Sequence, residues 1–192
     1  MKPVNVAVVG ATGAVGEAII EILESRDFPV DNLFPLASSR SAGKSLQFRG
    51  KRHTVQDVNE FDFSLTRIGL FSAGGDISAK YAPIAAEAGC VVIDNTSHFR
   101  REDDIPLVIP EVNPGAIADF KQRGIIANPT CSTIGMLVAL KPLYDAVGIE
   151  RINVATYQAV SGSGKVAIEE FAGQTARLLN GKEAEPDFYP QQ

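Results

Sequence analysis

The run Asn128-Pro129-Thr130-Cys131-Ser132-Thr133 carries one of the two cysteines of the 192-residue chain. An apolar run, Ile125-Ile126-Ala127, precedes it and another, Leu137-Val138-Ala139-Leu140, follows. A thiol must ionise to attack an electrophile, and a helix N-terminus lowers its pKa from about 8.5. Pro129 and Thr130 stand where a helix would begin, with Thr130 as its cap and Cys131 in its first turn. The N–H groups of that turn could also stabilise an oxyanion on a substrate carbonyl. Spacing alone leaves two readings open for Cys131, a nucleophile and a small packing residue. Cys90 is the contrast: it opens Val91-Val92-Ile93 and reads as packing in a buried strand.

A second feature with chemical potential lies near the N-terminus. Gly10-Ala11-Thr12-Gly13-Ala14-Val15-Gly16 joins the apolar run Val4–Val9 to a segment, Glu17–Ser25, with apolar residues at helical spacing. A glycine turn between a strand and a helix is an anion site. Glycine lets the backbone approach a pyrophosphate, and the helix N-terminus supplies N–H donors. The pattern is G-x-x-G-x-x-G, and its place between strand and helix makes it a dinucleotide loop. The second strand selects the dinucleotide: NAD sites carry an acid there, NADP sites an arginine for the 2′-phosphate. Here the strand ends in Ser38-Ser39-Arg40-Ser41, with Lys44 close by and no acid, which points to NADP. His53 and His98 have no partners at metal-ligand spacing, so no metal site is expected.

These segments need a scaffold. Leu33–Ala37, Ile68–Phe71, Cys90–Ile93 and Ile125–Ala127 read as further buried strands, and 46–58 as short strands. Asp76–Ala88 and Pro114–Gln122 read as helices. Strand–helix alternation with polar loops after each strand predicts an α/β fold, a Rossmann-like doubly wound parallel sheet. Its loops gather along one edge, where such sheets bind ligands. After residue 128 the texture changes to a helix over 131–146, an alternating strand Asn153–Val160, a Gly/Ser turn and a helix Lys165–Leu179. This divides the chain into 1–127 and 128–192. One strand and two helices make a poor second core, so the expectation is a truncated domain, from a longer protein or a natural short form.

Composition sets outer limits. The chain is 45% hydrophobic and 21% charged, as globular proteins are, with a net charge of -5 that disfavours a nucleic-acid binder. No apolar run approaches the roughly 18 residues of a membrane span, and Met1-Lys2-Pro3 leads straight into a strand, so a cytoplasmic location is expected. Two cysteines suggest free thiols, not a disulfide framework.

Taken in order, the glycine loop, Ser38-Ser39-Arg40-Ser41-Ala42-Gly43, Phe71-Ser72-Ala73-Gly74-Gly75, Asp94-Asn95-Thr96-Ser97-His98-Phe99-Arg100, Pro110-Glu111-Val112-Asn113, the Cys131 run and Tyr157-Gln158-Ala159-Val160-Ser161-Gly162 resemble bacterial aspartate-semialdehyde dehydrogenase over nearly the whole chain. The resemblance implies NADP-dependent reduction of β-aspartyl phosphate to aspartate semialdehyde, in lysine, threonine, methionine and isoleucine biosynthesis. It also implies a cysteine thioester that divides one difficult transfer into two easier ones. By that pattern Cys131 is the nucleophile, Gln158 orients the substrate and Arg100 binds phosphate. Gly10, Thr12, Gly13, Ala14, Val15, Gly16, Ser38, Arg40, Ser41, Ser72, Ser161 and Gly162 serve the cofactor.

The pattern implies that residues 128–192 begin an α+β catalytic and dimerisation domain of a homodimer. Its catalytic histidine and its substrate-carboxylate arginine lie beyond residue 192, so little turnover is expected of the 192 residues alone. Two positions depart from the family: Thr130 replaces the usual Asn before the cysteine, and Gly135 replaces a commoner Gln. Two alternatives remain, an N-acetylglutamyl-phosphate reductase-like enzyme and a non-enzymatic nucleotide-binding or partner protein on the same fold.

Overall fold

The structure, a computed structural model, describes residues 2–189. Strand β1 (Val4–Val9) leads through the glycine loop into helix α1 (Ala14–Ser25), and β2 (Val30–Ala37) follows. A hairpin of β3 (Ser45–Phe48) and β4 (Lys51–Thr54) precedes the two-residue β5 (Gln56–Asp57). Then come β6 (Ile68–Phe71), α2 (Gly75–Glu87), β7 (Val91–Asp94), a 3₁₀ segment (Pro114–Gln122) and β8 (Ile125–Ala127). The last elements are α3 (Cys131–Val147), a 3₁₀ turn (Val160–Ser163) and α4 (Lys165–Leu179).

Six strands form one parallel sheet in the order β5-β2-β1-β6-β7-β8. The direction of strand addition reverses between β1 and β6, which places a crevice outside their carboxyl ends. Successive β1 side chains go to opposite faces. Val6 and Val8 pack with Ile20 and Leu23 of α1 and with Phe48 of the hairpin. Ala7 and Val9 pack on the other face with Phe71, Tyr81, Ala82 and Ala85. All four of these β1 residues are fully buried. This explains an unbroken apolar run in place of an alternating one.

The close fit of α1 on β1 depends on Gly16. A Cβ there would lie 2.1 Å from the Gly10 carbonyl oxygen and 2.8 Å from Ala11 Cα, both backbone atoms. Gly10 has φ of 90°, a conformation that favours glycine.

Elements after β8 bury less. No residue of α3 is buried, and Leu143, Tyr144 and Val147 stand exposed on it. The expected strand Asn153–Val160 does not form: residues 151–159 have no regular structure, and Val160 belongs to the 3₁₀ turn. A strand exists only through a hydrogen-bonded neighbour, and no described segment lies alongside this one. Residues 151–159 are all exposed, Ile152, Val154 and Tyr157 among them. Other bounds move as well: the strand expected at Leu33–Ala37 begins at Val30, the strand expected at Cys90–Ile93 runs Val91–Asp94, the helix expected from Glu17 begins at Ala14, the helix expected at Asp76–Ala88 runs Gly75–Glu87, and the helix expected at Pro114–Gln122 is a 3₁₀ segment.

Replacing Gly16 by Ala forces α1 off the sheet. Denaturant unfolding of Gly16→Ala is expected to show a loss of about 3 kcal/mol or more, with weakened dinucleotide binding in whatever remains folded.

Candidate active site

The carboxyl edge of the sheet gathers the chemical residues into two adjoining clefts that share Ser72. The first, of about 330 Å³, is lined by Gly10, Thr12, Gly13, Ser38, Arg40 and Ser72 among others, and by no carboxylate. Gly13 occupies the N-cap position of α1 and has no side chain to cap it, so the first-turn N–H groups remain available to an anion. The second cleft, of about 420 Å³, holds Val15, Asn95, Thr96, Arg100, Asn128, Thr130, Cys131, Gln158 and Gly162.

Most of the expected residues are therefore brought together. Gly16 is buried beneath the loop and lines neither cleft. Ala14, Ser41 and Ser161 also lie outside both linings. The Ser41 hydroxyl instead accepts from Lys44 Nζ at 3.5 Å.

Cys131 is the first residue of α3 and is exposed, whereas Cys90 is buried. Gln158 Nε2 donates to Cys131 Sγ at 3.6 Å. Thr130 holds the N-cap position through its backbone, but its side chain makes no capping bond. Its Oγ1 instead lies 3.0 Å from Thr133 Oγ1, one hydroxyl bonding the other. The first-turn N–H groups beside the thiol are thus left for a ligand, and the expectation of a side-chain cap is corrected.

Arg100 reaches the cleft from the loop after β7. Nε donates to the Asn128 carbonyl at 2.8 Å and Nη2 to the Asn95 carbonyl at 3.0 Å. These bonds occupy one edge of the guanidinium. The opposite end, at Nη1, engages no partner among the described residues. Arg100 is half-buried and anchored to the backbone.

The Cys90 thiol is different in kind. Burial pushes its pKa up, and the hydrogen bond from Thr66 and the charge of Arg67 offset this only in part. Neither His53 nor His98 lines either cleft. No group of three or more His, Cys, Asp or Glu side chains among the described residues could hold a metal ion. No described helix is long and apolar enough to cross a membrane.

Sequence reading assigned no role to Asn95, Thr96 or Asn128, all of which line the cleft. The available signal was positional: a polar run directly after an apolar strand, at the sheet edge that binds ligands.

Residues 5–120 match the family model described as semialdehyde dehydrogenase, NAD binding domain. The chain belongs to the semialdehyde dehydrogenase family. Residues 140–192 match the dimerisation domain of these semialdehyde dehydrogenases. Aspartate-semialdehyde dehydrogenase 2 of Vibrio cholerae is 69% identical over 188 residues, 98% of this chain and 56% of the relative. A crystal structure of aspartate semialdehyde dehydrogenase II from Vibrio cholerae, complexed with ASA, is 67% identical with a TM-score of 0.98. It covers 100% of this chain and 57% of that one. The Candida albicans aspartate semialdehyde dehydrogenase solved with NADP is 30% identical, with a TM-score of 0.67 over 77% of this chain and 48% of that one. The chain thus spans a little over half the length of these Vibrio cholerae relatives.

The contrast between the two thiols has a direct readout. Iodoacetamide at neutral pH is expected to add a single adduct to the native protein, at Cys131. A second adduct, at Cys90, should appear only on unfolding, and intact mass followed by peptide mapping checks both.

Proposed function

We propose that this chain is the cofactor-binding and nucleophile-bearing part of an NADP-dependent aspartate-semialdehyde dehydrogenase. The observation that carries the reading is the convergence of Cys131, Gln158 and Arg100 on one cleft, continuous with the glycine-loop cleft.

The residues present fit a dinucleotide phosphate. Glycines line the loop side of the first cleft, and Arg40 with the hydroxyls of Thr12, Ser38 and Ser72 lines the rest. Arg40 offers a planar fork to a 2′-phosphate, and no acid opposes it. Bound NADP supplies the hydride acceptor in the oxidative direction and, as NADPH, the donor in the reductive one. The Candida albicans relative solved with NADP agrees with this assignment.

In the oxidative direction, Cys131 Sγ attacks the carbonyl carbon of aspartate semialdehyde, forming a C–S bond. The developing oxyanion meets the uncapped N–H groups of the first turn of α3. Gln158, already hydrogen-bonded to the sulfur, orients the aldehyde. Loss of hydride leaves a thioester on Cys131. Phosphate, held by the outward end of Arg100, then attacks the acyl carbon. The C–S bond breaks, β-aspartyl phosphate leaves and the thiolate is restored. The Vibrio cholerae structure complexed with ASA supports this substrate. We infer that the acid–base role falls in the length of the Vibrio cholerae relatives that this chain does not match.

The exposed apolar residues of α3, Leu143, Tyr144 and Val147, fit the interface of a homodimer, in line with the dimerisation-domain match.

Two substitutions in the full-length protein test the reading. Cys131→Ala is expected to reduce phosphate-dependent NADPH formation from aspartate semialdehyde by at least about 10³-fold, with NADP binding by calorimetry unchanged. Undiminished turnover would sink the proposal. Arg40→Ala is expected to weaken NADP binding by roughly 10- to 100-fold while sparing NAD, as loss of charge-assisted hydrogen bonds predicts. Equal losses for both dinucleotides would remove Arg40 from the 2′-phosphate site.

A further inference from the structure

One buried carboxylate has no part in the reaction described above. Asp94 ends β7 with no exposed surface and does not line the cleft. A carboxylate taken out of water is costly unless its oxygens are hydrogen-bonded. Oδ1 accepts from Ser78 Oγ at 2.7 Å and from the Thr96 N–H at 3.2 Å. Oδ2 accepts from Thr96 Oγ1 at 2.8 Å. Thr96, itself buried, extends the network: its Oγ1 accepts from the His98 N–H at 3.3 Å. Asp94 thereby fastens the start of the 95–100 loop both to α2 and to itself.

The backbone around Asp94 completes the arrangement. Its carbonyl accepts from the Asn128 N–H at 2.9 Å, and the Asn95 N–H donates to the Phe71 carbonyl at 2.9 Å. Asn95 and Asn128 are the residues whose carbonyls grip Arg100. The direction of the guanidinium therefore depends on the carbonyls of two residues, one next to Asp94 in sequence and one whose N–H bonds the Asp94 carbonyl across the sheet. Three residues after Asn128 comes Cys131.

We propose that Asp94, acting through Thr96, is a positioning residue that holds Arg100 and its two carbonyls in register with Cys131, and so sets the affinity for phosphate. The inference rests on Arg100 being the phosphate ligand, as proposed above. Arginine binds phosphate through a fork whose direction matters, so a tilted loop weakens binding even when the charge is kept. A small misplacement at a distance from the chemistry is enough to be costly.

The test uses the full-length protein and the phosphorylating direction. Thr96→Val removes the hydroxyl and nearly keeps the shape. It is expected to raise the KM for phosphate about tenfold, the effect of one lost hydrogen bond, with the KM for NADP unchanged. Thr96→Ser, which keeps the hydroxyl, is expected to restore the phosphate KM. Asp94→Asn preserves the Oδ1 acceptor but turns an amide toward the Thr96 hydroxyl, and should shift the phosphate KM in the same direction.

A merely structural network would lower the amount of folded enzyme, and hence kcat and Tm, without moving the phosphate KM. An unchanged phosphate KM in both Thr96→Val and Asp94→Asn overturns the inference. Absence of phosphate-dependent NADPH formation by the unsubstituted protein overturns the enzymatic reading and this inference together, and the control distinguishes that case.

Discussion

Parallel pairing of β7 with β8 puts Asp94 opposite Ala127, and the Asn128 N–H then bonds the Asp94 carbonyl at 2.9 Å. Everything at the second cleft hangs on that register. The loop after β7 carries Arg100 and the loop after β8 carries Cys131, so the two chemistries become neighbours only because both strands end at the same level. A one-residue slip would turn every β8 side chain to the other face and expose Ile125 and Ala127, both fully buried. The outer edge of β8 is held as well: the Ala127 N–H donates to the Pro106 carbonyl, and the Ala127 carbonyl accepts from the Val108 N–H, each at 2.9 Å. The edge is thus covered by chain and has no free strand to slip against.

A different constraint operates at the glycine loop. Its three glycines do separate work. Gly10 takes a positive φ, Gly13 leaves the helix end uncapped, and Gly16 permits α1 to sit on the loop backbone. The third function is steric and lies beneath the cleft. The first two shape the surface of the cleft. Electrostatics agree with shape: the lining has a cation and several hydroxyls, in a protein whose overall charge is negative. Local charge, and not the net value, decides which ligand is recognised.

Much of this was legible in the residues themselves. The bounds of β1, β6, β8 and α4 are those read from apolar runs and helical spacing, and the three strands are fixed by local burial. Thr130 was legible as a helix start but not as a non-capping residue. Whether a hydroxyl bonds a backbone N–H or a neighbouring hydroxyl is a rotamer choice that sequence does not encode. The segment 153–160 misled for another reason. Alternation records which face will be covered, but the covering partner is not among the described residues. The anchoring of Arg100 needed three dimensions, since its partners are carbonyls five and twenty-eight residues away.

An ion pair ties the part after β8 to the sheet domain, and its placement bears on the site. Lys165, at the start of α4, reaches Glu17 of α1 at 2.7 Å across a separation of 148 residues. An exposed ion pair of this kind contributes only about 0–1 kcal/mol. Its consequence is directional: it brings the N-terminus of α4, and the turn carrying Gly162, beside the N-terminus of α1. Further along, Glu170 accepts from the N–H groups of Asp187, Phe188 and Tyr189 and from Gln174 Nε2. Burial works against its charge, yet these bonds outweigh it and hold the carboxyl below the usual glutamate range. Tyr189, fastened by this means, donates through its hydroxyl to Ser163 Oγ at 2.7 Å. The 160–163 turn is therefore held from the far side by the 183–189 segment, while Gln158, just ahead of it, touches the sulfur of Cys131. The surroundings of Cys131 thus come from two distant stretches of chain, one fixed by strand register and the other by side-chain hydrogen bonds. The second depends on fewer buried contacts, so its geometry is the less firmly fixed of the two.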